Sequence, residues 1–192
     1  MFARTPRLLL RPGWPEDVPA VHEAINDEAI VRMLARAPWP YEPEDAANWL
    51  ASETDPLRPA FLIFERTMGE PRLIGSAGLG QTDDGQTEIG YWLRHSHWDR
   101  GFATEAGQAV MDIARSLGHK HLSSGHFEDN PASGHVLRKL GFRPTGRVEQ
   151  RHSRGRGVTV PCVLYSCNLA GVDPAGDPAG DTECDVMRSL AA

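Results

Sequence analysis

Apolar residues recur at two periods along this 192-residue chain, and the change of period marks its elements. "RLLLRP" at 7–12 predicts a short strand ended by Pro12. In "PEDVPAVHEAIND" the residues Val18, Val21, Ala24 and Ile25 stand at helical spacing, behind Pro15, Glu16 and Asp17 as first-turn residues. Residues 27–35 predict a second short helix, and "PEDAANWLASE" at 43–53 a third. The period then changes. "AFLIFER" and "RLIGSAGLG" are continuous apolar strands, and Asp83-Asp84-Gly85 is a hairpin turn into "TEIGYWL". There Glu88, Gly90 and Trp92 share one face and Ile89, Tyr91 and Leu93 the other. Ala103, Ala106, Gly107, Val110, Ile113, Ala114 and Leu117 form one face of a long helix stopped by Gly118. "KHLSSGHF" is a strand and "PASGHVLRKLGF" a helix stopped at Gly141. "RPTGRVEQ" and "TVPCVLYSCNL" are the last strands, with "RHSRGRG" between them as an exposed hairpin loop. Strands meander early and alternate with helices late, so the expectation is an α+β domain. Its mixed, mostly antiparallel sheet should have about six or seven strands flanked by helices.

Composition narrows the class. Hydrophobic content of 40% with 24% charged residues fits a globular domain, and the length allows one domain with a substantial core. We place that domain at residues 1–170. "GVDPAGDPAGDTECD" has almost nothing to bury, so 171–192 is expected to be a disordered acidic Pro/Gly-rich tail. A net charge of -6 argues against a nucleic-acid partner, leaving only a local basic patch at Arg147, Arg151, Arg154 and Arg156. No apolar run approaches the roughly 20 residues needed to span a membrane, and with only a three-residue Leu run before Arg11 no secretory signal is expected. Cys162, Cys167 and Cys184 share no metal-ligand spacing. The expectation is a cytoplasmic protein, monomeric or a homodimer.

Several chemistries fail on context. Gly75, Gly78 and Gly80 run into a hairpin rather than a helix, so they do not make a dinucleotide-binding turn. The pairs His95/His97 and His119/His121 have no third ligand at a zinc interval, so no metal is expected. No Gly-x-Ser-x-Gly nucleophile elbow is present. The stretch "HWDRGFATEA" is different. Asp99, Arg100 and Gly101 replace an ordinary helix cap just before the long helix. A helix start has free N–H groups and a partial positive charge, which suit an anion. Glycine admits a close approach, and arginine adds donors.

"TEIGYWL", "HWDRGFATEA" and "NPASGHVLRKLGF", in that order and at those intervals, resemble the GNAT superfamily of acyl-CoA-dependent N-acetyltransferases. The resemblance is closest to the branch of ribosomal-protein N-terminal acetyltransferases, and it runs over about residues 5–169. Many members carry Gln or Arg three residues before the loop glycine; here the position is Trp98, as it often is in the named branch.

The resemblance implies a GNAT fold and transfer of acetyl from acetyl-CoA to a primary amine, on a protein N-terminus or a small molecule. It assigns the pyrophosphate to Arg100, Gly101, Phe102, Ala103 and Thr104. The pantetheine arm falls to the backbone near Trp92, Leu93 and Arg94, and to Asn130 and Ser133. Asn130 also suits a plain helix cap before Pro131. Attack by an amine needs a base, and Glu88 is the first candidate, with a surface Glu as the alternative. A glutamate of the named branch corresponds in position to His152 here, with Glu149 close by. Ser133 is the candidate donor to the leaving sulfur, since residues 131–142 contain no tyrosine. Trp39, Tyr41 and Trp49 are candidate acceptor contacts or core. A non-catalytic acyl-CoA-binding module and a structural interaction protein remain as alternatives.

Overall fold

The computed structural model describes residues 1–52 and 55–170, so the expected tail at 171–192 lies outside the described residues. Eight strands form one sheet: β1 (Ala3–Arg4), β2 (Leu8–Arg11), β3 (Ala60–Glu65), β4 (Arg72–Gln81), β5 (Thr87–Leu93), β6 (His121–Phe127), β7 (Arg143–Ser153) and β8 (Val158–Asn168). Five helices accompany them: α1 (Val18–Ile25), α2 (Glu28–Val31), α3 (Pro43–Ala51), α4 (Phe102–Ser116) and α5 (Pro131–Lys139). The sheet order is β1-β2-β3-β4-β5-β6-β8-β7. The strand beyond the expected number is β1, two residues folded back onto β2 and too short to show an alternating pattern.

All neighbouring strands are antiparallel except β5 and β6. A parallel step cannot be made by a tight turn. The α4 crossover makes it, carrying the chain over one face of the sheet. Phe102, Ala106, Val110, Met111 and Ala114 pack there with Leu8, Phe61, Ile74, Ile89 and Leu137 in the larger core. The alternate residues Leu62, Phe64 and Leu73 face a second core built by α1, α2 and α3, with Val21, Ile25, Ile30, Tyr41 and Ala46. No helix of the described residues is long and apolar enough to cross a membrane.

Two expectations need correction. The second short helix, expected over 27–35, stops at Val31. The carbonyls that follow are taken by the β7–β8 hairpin: Ser153 Oγ donates to Leu34 O (3.1 Å), the Arg154 N–H to Ala35 O (2.9 Å) and Arg156 Nε to Arg32 O (2.6 Å). The same contacts overturn the exposed loop at 151–157. β7 runs on to Ser153, which is fully buried, and the backbone at Gly155 packs against Val31 and Ala37.

The central strands leave one glycine no room and another ample room. A Cβ on Gly75 would collide with the Trp92 carbonyl oxygen across the β4–β5 ladder, whereas one on Gly90 meets nothing within 4 Å. Gly75→Ala should lower stability by about 1–3 kcal/mol through overpacking, and Gly90→Ala should leave the denaturant midpoint unchanged or slightly raised. Equal midpoints for the two variants would contradict this geometry.

Glu105, in the first turn of α4, ties the N-terminal segment to the helix. Its carboxylate accepts from the Thr5 hydroxyl, the Arg7 N–H (2.9 Å) and Arg7 Nε (2.6 Å). Burial pushes its pKa up, but these bonds and the Arg7 charge outweigh it and hold the carboxyl below its ordinary value. A depressed folded pKa gives stability that is present above the unfolded pKa and lost as pH falls through the folded one. Glu105→Gln should therefore melt lower than the parent at neutral pH, with the gap narrowing from about pH 5 to about pH 3. Thermal melts across that range check it; a constant gap would assign the loss to packing alone.

Candidate functional site

The parallel pairing of β5 with β6 is recorded at one register position, Glu88↔Ser123. The Arg94 N–H donates to Ile74 O of β4 (2.7 Å), and the Gly75↔Leu93 register makes Trp92, Gly90 and Glu88 the residues that share the β4 ladder. Ile89, Tyr91 and Leu93 therefore turn their N–H and C=O groups toward β6. Side chains take part of that edge. Ser123 Oγ donates to Thr87 O (3.2 Å), Ser124 Oγ to Ile89 O (3.0 Å) and Trp98 Nε1 to Leu93 O (2.9 Å). Past Ile89 the strands separate, leaving both backbone groups of Tyr91 and the Leu93 N–H facing a split. Of the three residues expected to offer backbone here, only Leu93 does so. Trp92 and Arg94 bond to β4, and the Arg94 guanidinium pairs with Glu23 (2.6 Å).

Beyond the split the chain turns sharply into α4. Asp99 (φ 57°) and Gly101 (φ 77°) both take the left-handed conformation, and Gly101 occupies the cap position with no side-chain cap on the helix. The N–H groups of Phe102, Ala103 and Thr104 are first-turn donors without an intrahelical acceptor. The Arg100 guanidinium is not aimed at them. It donates to Glu65 Oε1 (3.1 Å) and stacks 4.8 Å from the centre of the Phe102 ring. Glu65 Oε2 lies 3.2 Å from Nε2 of the buried His97, so a carboxylate, an imidazole and a guanidinium brace the loop from beneath. Arg7 was not legible as a site residue. It lies over the Phe102 ring at 4.3 Å, donates to the Arg100 carbonyl (2.9 Å) and is the nearest side chain to a Cβ built on Gly101. A surface groove of ≈ 870 Å³ runs from Gly101 and Thr104 along α4, bordered by Arg4 and Lys139.

α5 begins on the other side of the split. Asn130 caps it, its Oδ1 accepting from the Ser133 N–H (3.3 Å). At Gly134 a Cβ would lie 2.6 Å from His126 Nε2, so a side chain there needs the imidazole to shift. Ser133 Oγ is 3.0 Å from the Tyr91 hydroxyl, which also lies 3.1 Å from the Ser133 carbonyl. Tyr91 carried no local sign of this, since it alternates with Ile89 and Leu93 as an apolar-face residue and its partner is 42 residues away.

The opposite face of β5 carries Glu88 above Gly80 and Gly90, both with open space over them. Glu88 Oε1 accepts from Arg151 (2.8 Å), which reaches back over β6 and β8. Burial works against the Arg151 charge, but the bond and charge of Glu88 outweigh it and raise its pKa. Burial likewise pushes the Cys162 thiol up, with Arg151 pulling the other way. The structure does not bring His152 to this pair. Alternation along β7 turns it away from Arg151, into solvent. Glu149 pairs with Arg147 instead (2.6 Å). Arg156 holds Asp129 through both carboxylate oxygens (2.8 and 2.9 Å) and Arg154 bonds the Arg36 carbonyl (3.3 Å), so the four arginines do not form a free basic patch. Tyr41 belongs to the second core, its phenol pushed up to about 12 by burial and then by Asp45. Trp39 and Trp49 stay at the surface. Among the described residues, no group of three or more His, Cys, Asp or Glu is placed to hold a metal ion.

Known proteins share this fold. The family model of the acetyltransferase (GNAT) domain matches residues 7–143. An uncharacterized N-acetyltransferase, p20 of Bacillus licheniformis, is 25% identical over 170 residues, which cover 84% of this chain and 93% of that protein. Among solved structures, a GNAT-family acetyltransferase from Bacillus anthracis aligns with a TM-score of 0.73 at 22% identity, over 88% of this chain and 99% of that one. A ribosomal L7/L12 alpha-N-protein acetyltransferase in complex with coenzyme A aligns at 0.72 with 21% identity, over 88% and 98%. The two structures establish likeness of fold. The family match spans most of the length, including the split sheet and the uncapped helix start, and the chain belongs to the GNAT acetyltransferase family.

Proposed function

We propose that this chain transfers an acetyl group from acetyl-CoA to a primary amine by direct attack through a tetrahedral intermediate. The observation that carries the reading is the uncapped first turn of α4 at Gly101, set beside the unpaired edge of β5. The residues fit the donor. The N–H groups of Phe102, Ala103 and Thr104 hold the pyrophosphate, with the helix dipole behind them and no Cβ at Gly101 in the way. Tyr91 and Leu93 offer the arm a strand edge to pair with, as in strand addition. The groove from Gly101 along α4 takes the nucleotide end, with Arg4 and Lys139 as its cations and with the carboxylates Glu105 and Asp112 paired to Arg7 and Arg115.

Acetyl-CoA supplies the activated thioester. The amine approaches over Gly80 and Gly90, on the face of β5 that carries Glu88. Glu88 takes its proton, directly or through water, while Arg151 fixes the carboxylate from the far side. A backbone N–H of the β5 edge donates to the carbonyl oxygen as charge gathers there, and Ser133 protonates the departing sulfur. The acceptor is a protein N-terminus or a small-molecule amine. One observation favours a second reading, a non-catalytic acyl-CoA-binding module: Glu88 is already engaged by a guanidinium.

Acetyl-CoA should stabilise the protein by about 2.7 kcal/mol at a hundredfold excess over its Kd. Gly101→Asp should remove that stabilisation and leave the unliganded protein folded with a melt lowered by the strain of a side chain at positive φ, which aspartate bears better than most residues, while its carboxylate repels the diphosphate. A persisting shift in the variant would displace the phosphate site from Gly101.

Glu88→Gln should keep acetyl-CoA binding but lower turnover about a hundredfold, most strongly at the acidic end of the pH profile where the amine holds its proton. CoA release measured against pH with a panel of amines separates the readings. Binding without release for every amine selects the acyl-CoA-binding module, and release with no Glu88 dependence removes Glu88 as base.

A further inference from the structure

Ser133 alone is a poor proton source, because an aliphatic hydroxyl gives up its proton far less readily than a thiol or a phenol. The structure supplies what it lacks. Tyr91 Oη lies 3.0 Å from Ser133 Oγ, reaching α5 from β5 across the mouth of the split. Its one proton can go to the Ser133 carbonyl or to Oγ; when it goes to Oγ, the seryl proton is released toward the split. Behind them, Arg138 donates to the Tyr165 hydroxyl (3.0 Å), and the Tyr165 hydroxyl lies against Gly134, where a Cβ would stand 3.2 Å from it.

We infer that Tyr91 is the proton source for the leaving thiolate and acts through Ser133. The inference rests on the proposed acetyl transfer. As the intermediate collapses, the C–S bond breaks and its electron pair passes to sulfur. Ser133 Oγ gives its proton to that sulfur and takes the Tyr91 proton in turn. Tyr91 is left as a phenolate, which solvent reprotonates, balancing the proton the amine gave up. Charge on Tyr91 is sustained meanwhile by the Ser133 hydroxyl, whose hydrogen bond is the influence that lowers the phenol pKa. Burial, opposed by the Ser133 hydrogen bond and reinforced by Tyr165, pushes the phenol up to about 12, so it stands protonated throughout the working pH range.

The test uses Tyr91→Phe, Ser133→Ala, the double variant, and a protein with a polyfluorinated tyrosine at position 91, whose phenol ionises far more readily. Tyr91→Phe should keep the acetyl-CoA thermal shift and the KM for acetyl-CoA, and lose about tenfold or more in kcat. The double variant should be no slower than Ser133→Ala, since both residues serve one transfer. The fluorinated protein should acquire a new basic limb, with turnover falling as pH rises through the lowered phenol pKa, because only the protonated phenol can donate. A purely structural hydroxyl would not produce that limb. Parent-like turnover in Tyr91→Phe, additive losses in the double variant, or an unmoved pH profile overturns the inference while leaving acetyl transfer in place. A parent protein that releases no CoA with any amine overturns both.

Discussion

The site depends on a parallel ladder that stops almost where it starts. β5 and β6 meet at Glu88 and Ser123 and then separate, which exposes backbone groups in the middle of a sheet. Unpaired backbone polar groups are costly when buried, and protein sheets rarely leave them. Here side chains take the first carbonyls on either side of the opening: Ser123 and Ser124 at one end, the Trp98 indole at the other. What remains, chiefly the backbone of Tyr91, is a strip of strand edge of the kind an extended ligand can pair with. The parallel step is itself made by α4, because a long crossover must return the chain to the same end of the sheet. The split and the uncapped helix start are therefore two ends of one connection.

That connection must hold two left-handed residues without help from a side-chain cap. Glu65 does much of this by receiving both His97 and Arg100, while Arg7 closes over Phe102 and bonds the Arg100 carbonyl. The arginines near the helix start are thereby committed to carboxylates and rings, and the uncapped first turn presents backbone N–H groups and glycine. Such donors are preorganised; they need no rearrangement to meet a phosphate.

The β7–β8 hairpin reaches over the face of β5 that carries Glu88. It gathers the carbonyls left over after α2 through Ser153, Arg154 and Arg156, and it grips Asp129 at the entry to α5. Desolvation disfavours charge on Asp129, yet the Arg156 bond, the largest influence, keeps its carboxyl below the ordinary value. One hairpin thus links the second core, the start of α5 and, through Arg151, Glu88. The Glu88 face of β5 and the start of α5 are held by arginines of one hairpin, Arg151 and Arg156.

Much of this was legible in the residues. Period and turn chemistry located seven of the eight strands and the helix stops at Gly118 and Gly141, because those signals are local: apolar spacing, and glycines at positive φ. The family signature and the anion-suited loop were legible for the same reason, each being a run of adjacent residues with its own backbone chemistry. Whatever depended on distant partners was not. Residues 151–157 carry the composition of a free loop, and only the carbonyls of 32–36 convert them into a docked hairpin. His152 matched a family position, but alternation about the Arg151–Glu88 pair turned it outward. Tyr91 read as one more apolar-face residue until α5 set Ser133 against it. The sequence by itself determined the elements and the family, since those follow from short-range periodicity and turn geometry. The tertiary structure alone decided which polar groups meet, because hydrogen bonds and ion pairs form between atoms close in space, whatever their separation along the chain.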